Sequence, residues 1–158
     1  MTHPADDANH FAGSCGVIEL TIRSNPTSLP VVRAAAERIA TAEGFDETQA
    51  RSLTWALDEA LTNVIRHGYD NRTDQPIQLK LEPVRHADGR PGLCITVRDF
   101  GRQVDPAMIR GRELDDVRPG GLGVHVIKSV MDEVEYQQGG EGGMVLRMVK
   151  YLAAVQAK

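Results

Sequence analysis

Aromatic residues are scarce in this chain: three Phe, three Tyr and one Trp make up 4% of 158 residues. Cysteine is scarcer still, with only Cys15 and Cys94, and no CxxC spacing. Such a pair offers neither a disulfide framework nor zinc-ligand spacing and reads as reduced thiols in a cytoplasmic protein. No apolar run approaches the ~20 residues of a membrane helix, so no span is expected. Residues 1–13 carry acids and histidines where an export signal would carry a basic and then an apolar stretch. Basic residues are outnumbered, 18 Lys+Arg against 22 Asp+Glu, for a net charge of −4 and no basic run. That balance argues against direct nucleic-acid binding through phosphates.

What remains is an ordinary globular composition, 41% hydrophobic and 25% charged. The length fits one domain, expected over residues 14–154 behind a flexible tail at 1–13. Ile18, Leu20 and Ile22 alternate with Glu19, Thr21 and Arg23, which predicts a strand within 15–23. A helix is expected from about Ser28, with Pro30 in its first turn and Val31, Val32, Ala35, Ile39 and Ala42 inward, closing at Gly44. A second helix opens on Asp46 with Gln49 three residues later, a capping-box pair, and runs to about Arg66. Two alternating strands follow, around Ile77–Glu82 and Leu93–Arg98, joined by a turn at His86–Gly89. After an aperiodic stretch at 100–121 come a short helix with Val126, Ile127, Val130 and Met131 inward, then strands 133–138 and 143–151. This order predicts an α/β two-layer sandwich: a mostly antiparallel mixed sheet with helices on one face.

Three features could carry chemistry. Glu59, Asn63 and His67 recur every four residues on the second helix and therefore share one narrow polar stripe. The stripe also suits the wet side of an amphipathic helix, but a mid-helix Asn without a cap to make is an unusual choice there. A carboxylate beside an amide oxygen suits a hard cation. Asp99-Phe100-Gly101 ends a strand, where an ionised Asp selects hydrogen-bond donors and Gly101 lets a flat ligand approach the backbone. Gly120-Gly121-Leu122-Gly123 opens the last helix and frees backbone N–H groups for an anion. It is neither a P-loop, lacking a following Lys-Ser/Thr, nor a dinucleotide fingerprint.

Glu-x3-Asn-x3-His, then Asp-x-Gly, a long loop and Gly-x-Gly resembles the GHKL, or Bergerat-fold, ATPase superfamily. Within it, "ALDEALTNVIRHGY", "VRDFG" and "GGLGVHVIKSVMDEVEY" resemble the anti-sigma-factor serine kinases, over about Val17 to Lys150. The resemblance implies ATP and Mg²⁺ as ligands, with Asn63 holding the metal and Glu59 acting as base on the attacking hydroxyl. It implies that Asp99 binds the adenine amino group with Gly101 beside the base. His67 would lie near the phosphates or support Asn63. Residues 102–121 become an ATP lid, with Gly121, Leu122 and Gly123 at the phosphates and Arg118 (Arg112 second) reaching the γ-phosphate. The implied function is a protein serine kinase that phosphorylates an anti-anti-sigma protein of the STAS type and sequesters a sigma factor, with a possible homodimer. The alternative is a nucleotide-binding regulatory module of the same fold without kinase activity. One departure bears on this choice: Met144 stands where a threonine often backs the adenine contact.

Other residues take plainer readings. His125 is expected to be structural, and His3, His10 and His86 lack ligand spacing. Trp55 is expected to be partly buried, and Cys94 to be an unreactive strand residue.

Overall fold

The alternation seen in the sequence builds the sheet. The computed structural model describes residues 15–109 and 122–154. The tail expected at 1–13 and residues 110–121 of the expected lid lie outside the described residues. The strands are β1 (Ile18–Arg23), β2 (Pro76–Arg85), β3 (Pro91–Arg98), β4 (Glu133–Gln138) and β5 (Met144–Tyr151). They form one sheet in the order β1-β2-β3-β5-β4. Every pairing between these strands is antiparallel, so the parallel component allowed for by a mixed sheet is not among them.

Register follows the buried apolar set, because a slip of one residue would turn it to the wrong face. Leu20 sits opposite Leu79, Ile95 opposite Met148, and Val97 opposite Leu146. The β2–β3 hairpin closes where His86 N–H donates to the Arg90 carbonyl at 2.9 Å, with Gly89 at φ +88°. The opposite face carries Glu19, Thr21, Lys80, Thr96 and Arg98.

Helices α1 (Leu29–Ala42), α2 (Glu47–Asn63) and α3 (Leu122–Val130) supply the second layer. The capping box is present in full: Gln49 N–H donates to Asp46 Oδ1 at 2.8 Å, and Asp46 N–H donates to Gln49 Oε1 at 3.1 Å. Such a box ties down two of the N–H groups that a helix start otherwise leaves unpaired. Behind it, Leu53, Leu57 and Leu61 are fully buried and pack with Ile77, Leu81 and Ile95 of the sheet in one core.

Three expectations need correction. The inner stripe of α1 is Val32, Ala36, Ile39 and Ala40, while Val31 is 72% exposed and Ala42 is exposed. Both stripes obey helical spacing, and alanine is small enough to sit on either side. Trp55 is 55% exposed, because it lies about half a turn from Leu53 and Leu57. The second helix does not run unbroken to Arg66: it ends at Asn63 and passes into a π-helical turn, Val64–Gly68. Among the described residues no helix is long and apolar enough to cross a membrane.

Candidate functional site

The polar stripe of α2 points along the helix toward its C-terminal end, where three separate segments converge. The first is the π-helical turn itself. Tyr69 N–H donates to the Val64 carbonyl at 3.0 Å, five residues back. One extra residue in a turn re-aims the chain that follows, and such turns recur at functional sites. Here it brings Gly68 against the end of β3: a Cβ on Gly68 would lie 3.4 Å from Asp99 Oδ1.

The second segment is Asp99-Phe100-Gly101. A Cβ on Gly101 would overlap the Gly68 carbonyl, so only glycine lets the two backbones touch. Arg102 N–H then donates to that same carbonyl at 3.0 Å. Tyr69 clamps the crossing from below, its hydroxyl accepting from Phe100 N–H at 2.7 Å and donating to the Pro76 carbonyl at 2.6 Å. Asp99 is 3% exposed. Its Oδ1 accepts from Gly101 N–H at 2.9 Å, and its own N–H donates to the Met144 carbonyl at 3.0 Å. Burial pushes the carboxyl above the ordinary carboxylate range, against the backbone bonds around it and the nearby Arg98 guanidinium.

The third segment is the start of α3. A Cβ on Gly123 would lie 2.7 Å from Glu59 Oε2, 3.3 Å from Asn63 Nδ2 and 3.4 Å from Asn63 Oδ1. The bare backbone of Gly123 therefore rests on the carboxylate and the amide of α2.

Between the helices and the sheet lies a cavity of about 270 Å³. Its apolar walls include Ala60, Val64 and Val124 from the helices and Val97, Met144 and Leu146 from the sheet. Its polar lining includes Asn63, His67, Asp99, Arg102 and Tyr136. An apolar slot with a few convergent polar groups is the ordinary build of a small-molecule site.

Asn63 and His67 thus line one cavity with Asp99, which is far from both in sequence, and Glu59 and Gly123 adjoin Asn63. Gly101 packs against Gly68 at the cavity wall. Leu122 is 56% exposed and does not line the cavity. Arg118, Arg112 and Gly121 lie outside the described residues. Sequence reasoning missed Gly68, Tyr69, Arg102 and Tyr136. Only Tyr136 had a usable signal, since Val134 and Tyr136 form the inward alternation of β4. Among the described residues no group of three His, Cys, Asp or Glu is placed to hold a metal.

The fold and this cavity define a class: a two-layer α/β domain with a cavity between its helices and an antiparallel sheet. The family model described as "Histidine kinase-like ATPase domain" matches residues 22–150, and the chain belongs to that family. Its relatives include a serine-protein kinase, RsbW, of Halalkalibacterium halodurans, 29% identical over 143 residues that make up 85% of this chain and 83% of that protein. The anti-sigma F factor of Heyndrickxia coagulans is 30% identical over 147 residues, 89% of this chain and 94% of that protein. Among solved structures, the SiaB–SiaC complex from Pseudomonas aeruginosa aligns with TM-score 0.57 at 14% identity, over 85% of this chain and 88% of that one. The RsbU and RsbW domains of Rv1364c from Mycobacterium tuberculosis align with TM-score 0.56 at 17% identity, over 90% of this chain but 34% of that longer one. These two likenesses concern the fold.

Proposed function

We propose that this protein is an ATP-dependent protein serine kinase and anti-sigma factor that works by partner switching. It phosphorylates a serine of a STAS-type anti-anti-sigma protein and sequesters a sigma factor, in the cytoplasm and as a homodimer. The observation that carries the reading is that Asp99 and Asn63 line one cavity, with Glu59 and Gly123 adjoining Asn63. Relatives named serine-protein kinase and anti-sigma F factor, similar over most of their length, support it.

The residues fit the group. Asp99 is a buried acceptor that selects an exocyclic amine, and the apolar walls suit a purine. Asn63 is the metal-side ligand, His67 a neighbour of the phosphates, and Gly101 the flat approach to the base. Gly121, Leu122 and Gly123 are the residues whose backbone N–H groups would meet the phosphates, and Arg118 would supply the lid cation. Mg²⁺, when bound, neutralises charge developing on the phosphate oxygens. Glu59 holds the incoming serine hydroxyl and takes its proton, a modest contribution because a loose transition state needs little early proton removal. The protein's larger task is to align the groups and exclude water.

Incubation with Mg-ATP and a STAS-type partner, read by phosphopeptide mass spectrometry, tests the reading. Phosphoserine on the partner, formed more slowly by Glu59→Gln, is expected. No phosphoserine on any partner would remove the kinase assignment. Met144 on the cavity wall favours one second reading, a nucleotide-holding module without transfer. Tight nucleotide binding with no turnover would select it.

A further inference from the structure

The polar lining of the cavity includes one buried group without a partner. The Tyr136 hydroxyl is buried and has no hydrogen-bond partner among the described residues. The other atom of this kind, Asp58 Oδ1, belongs to a residue whose second oxygen already meets Arg33 at 3.4 Å. A buried hydroxyl without a partner is costly, and phenylalanine would fill the same space without that cost. A tyrosine kept in this position calls for a partner that comes and goes.

The surroundings say what it would meet. Tyr136 is opposite Leu146 in the sheet register and lines the cavity together with Met144, Leu146 and Asp99. Segment 102–109 covers this strand, with Gln138 Nε2 donating to the Val104 carbonyl at 3.2 Å and Val104 and Ile109 lining the same cavity. Burial pushes the phenol up to about 12, so it stays protonated at neutral pH and can donate. Asp99 cannot donate when ionised, and the Met144 side chain carries no hydrogen-bond donor. A purine presents both an exocyclic amine and unprotonated ring nitrogens, so a pocket with Asp99 alone reads only half of its edge.

We propose that the Tyr136 hydroxyl is the second polar contact to the base, donating to a ring nitrogen of the purine, and so sets base specificity on the wall that Met144 has left without a donor. The proposal rests on the nucleotide reading above.

The test is calorimetric titration of the full chain with Mg-ADP, for wild type, Tyr136→Phe and Asp99→Asn, with melting curves of each unliganded protein. Tyr136→Phe is expected to weaken Mg-ADP roughly five- to tenfold, about one neutral hydrogen bond, while the unliganded protein melts no lower than wild type. ADP analogues with single ring nitrogens replaced by CH complete a double cycle. One of them should bind wild type more weakly than ADP does, yet be indifferent to the Tyr136→Phe change. Unchanged Mg-ADP affinity in Tyr136→Phe, with affinity lost in Asp99→Asn, would overturn this proposal and leave the nucleotide reading standing. Equal weakening toward every analogue, with a lower melting temperature, would make the phenol structural and also overturn it. Wild type that binds no Mg-ADP would overturn both.

Discussion

Replacing Gly123 by alanine should separate stability from catalysis. The added methyl would sit 2.7 Å from Glu59 Oε2, nearer than any real contact of that kind, and 3.3 Å from Asn63 Nδ2. Something must give by a few tenths of an ångström. The easiest part to move is the Glu59 carboxylate, the far end of a flexible side chain, so the backbone of α3 need not shift. Alanine also gains on glycine by roughly 0.5–1 kcal/mol within a helix. The unliganded variant should therefore melt within about a degree or two of wild type, or above it. Phosphoryl transfer should suffer, because displacing a positioned group by about 1 Å can cost ~100-fold. A smaller displacement of Glu59 gives an expected fall of roughly tenfold or more in turnover, with Mg-ADP affinity changed far less. Single-turnover phosphorylation of a STAS-type partner, beside a thermal melt, reads both quantities. Wild-type turnover in a well-folded Gly123→Ala protein would refute the idea that the carboxylate position matters.

Asp99→Asn should cost more than tenfold in Mg-ADP affinity, since a charge-assisted hydrogen bond is worth about 1.5–3 kcal/mol. It should at the same time stabilise the unliganded protein at neutral pH. Burial raises the folded carboxyl above its ordinary value of 3.8, so the native state binds the extra proton in that window and wild-type stability falls as pH rises through it. The advantage of the variant should accordingly be full above the raised folded value and vanish as pH drops toward 3.8, and melting curves across acidic pH check the sign. Leu57→Ala, at a fully buried site facing the sheet, should cost about 3 kcal/mol in urea denaturation. A loss below about 1 kcal/mol would mean that the helix–sheet seam is not packed as described. Cys15 is exposed, whereas Cys94 is buried and its thiol is pushed up by desolvation. A thiol-reactive dye should label one site at once and the second only on unfolding, and equal rates would contradict the burial of β3.

Much of this was legible where residue chemistry leaves few choices. Asp46 with Gln49 announces a helix start because few other arrangements satisfy the same N–H groups. The alternating apolar residues of β2 and β3 announce a one-sided sheet, and Asp99-x-Gly101 announces a strand end with close backbone approach. The facing of α1 was not legible, because an alanine-rich helix offers two adjacent stripes of similar apolarity and tertiary contact chooses Val32 over Val31. Trp55 misled for the opposite reason: its size suggests burial, but its helical angle puts it outside. The π-helical turn after Asn63 was hidden as well, since nothing in Val64–Gly68 marks an extra residue per turn. That turn is nonetheless what carries Gly68 to Asp99. Nor does a tyrosine in an alternating strand reveal that its hydroxyl has no partner among the described residues; that depends on what stands across the cavity.

The most direct test of the whole account is a crystal structure of the protein soaked with a non-hydrolysable ATP analogue and Mg²⁺. The account predicts the purine in the cavity with its amine at Asp99, and the metal on Asn63 beside Glu59 and Gly123. A nucleotide bound elsewhere, or a base in this cavity that leaves Asp99 untouched, would contradict it.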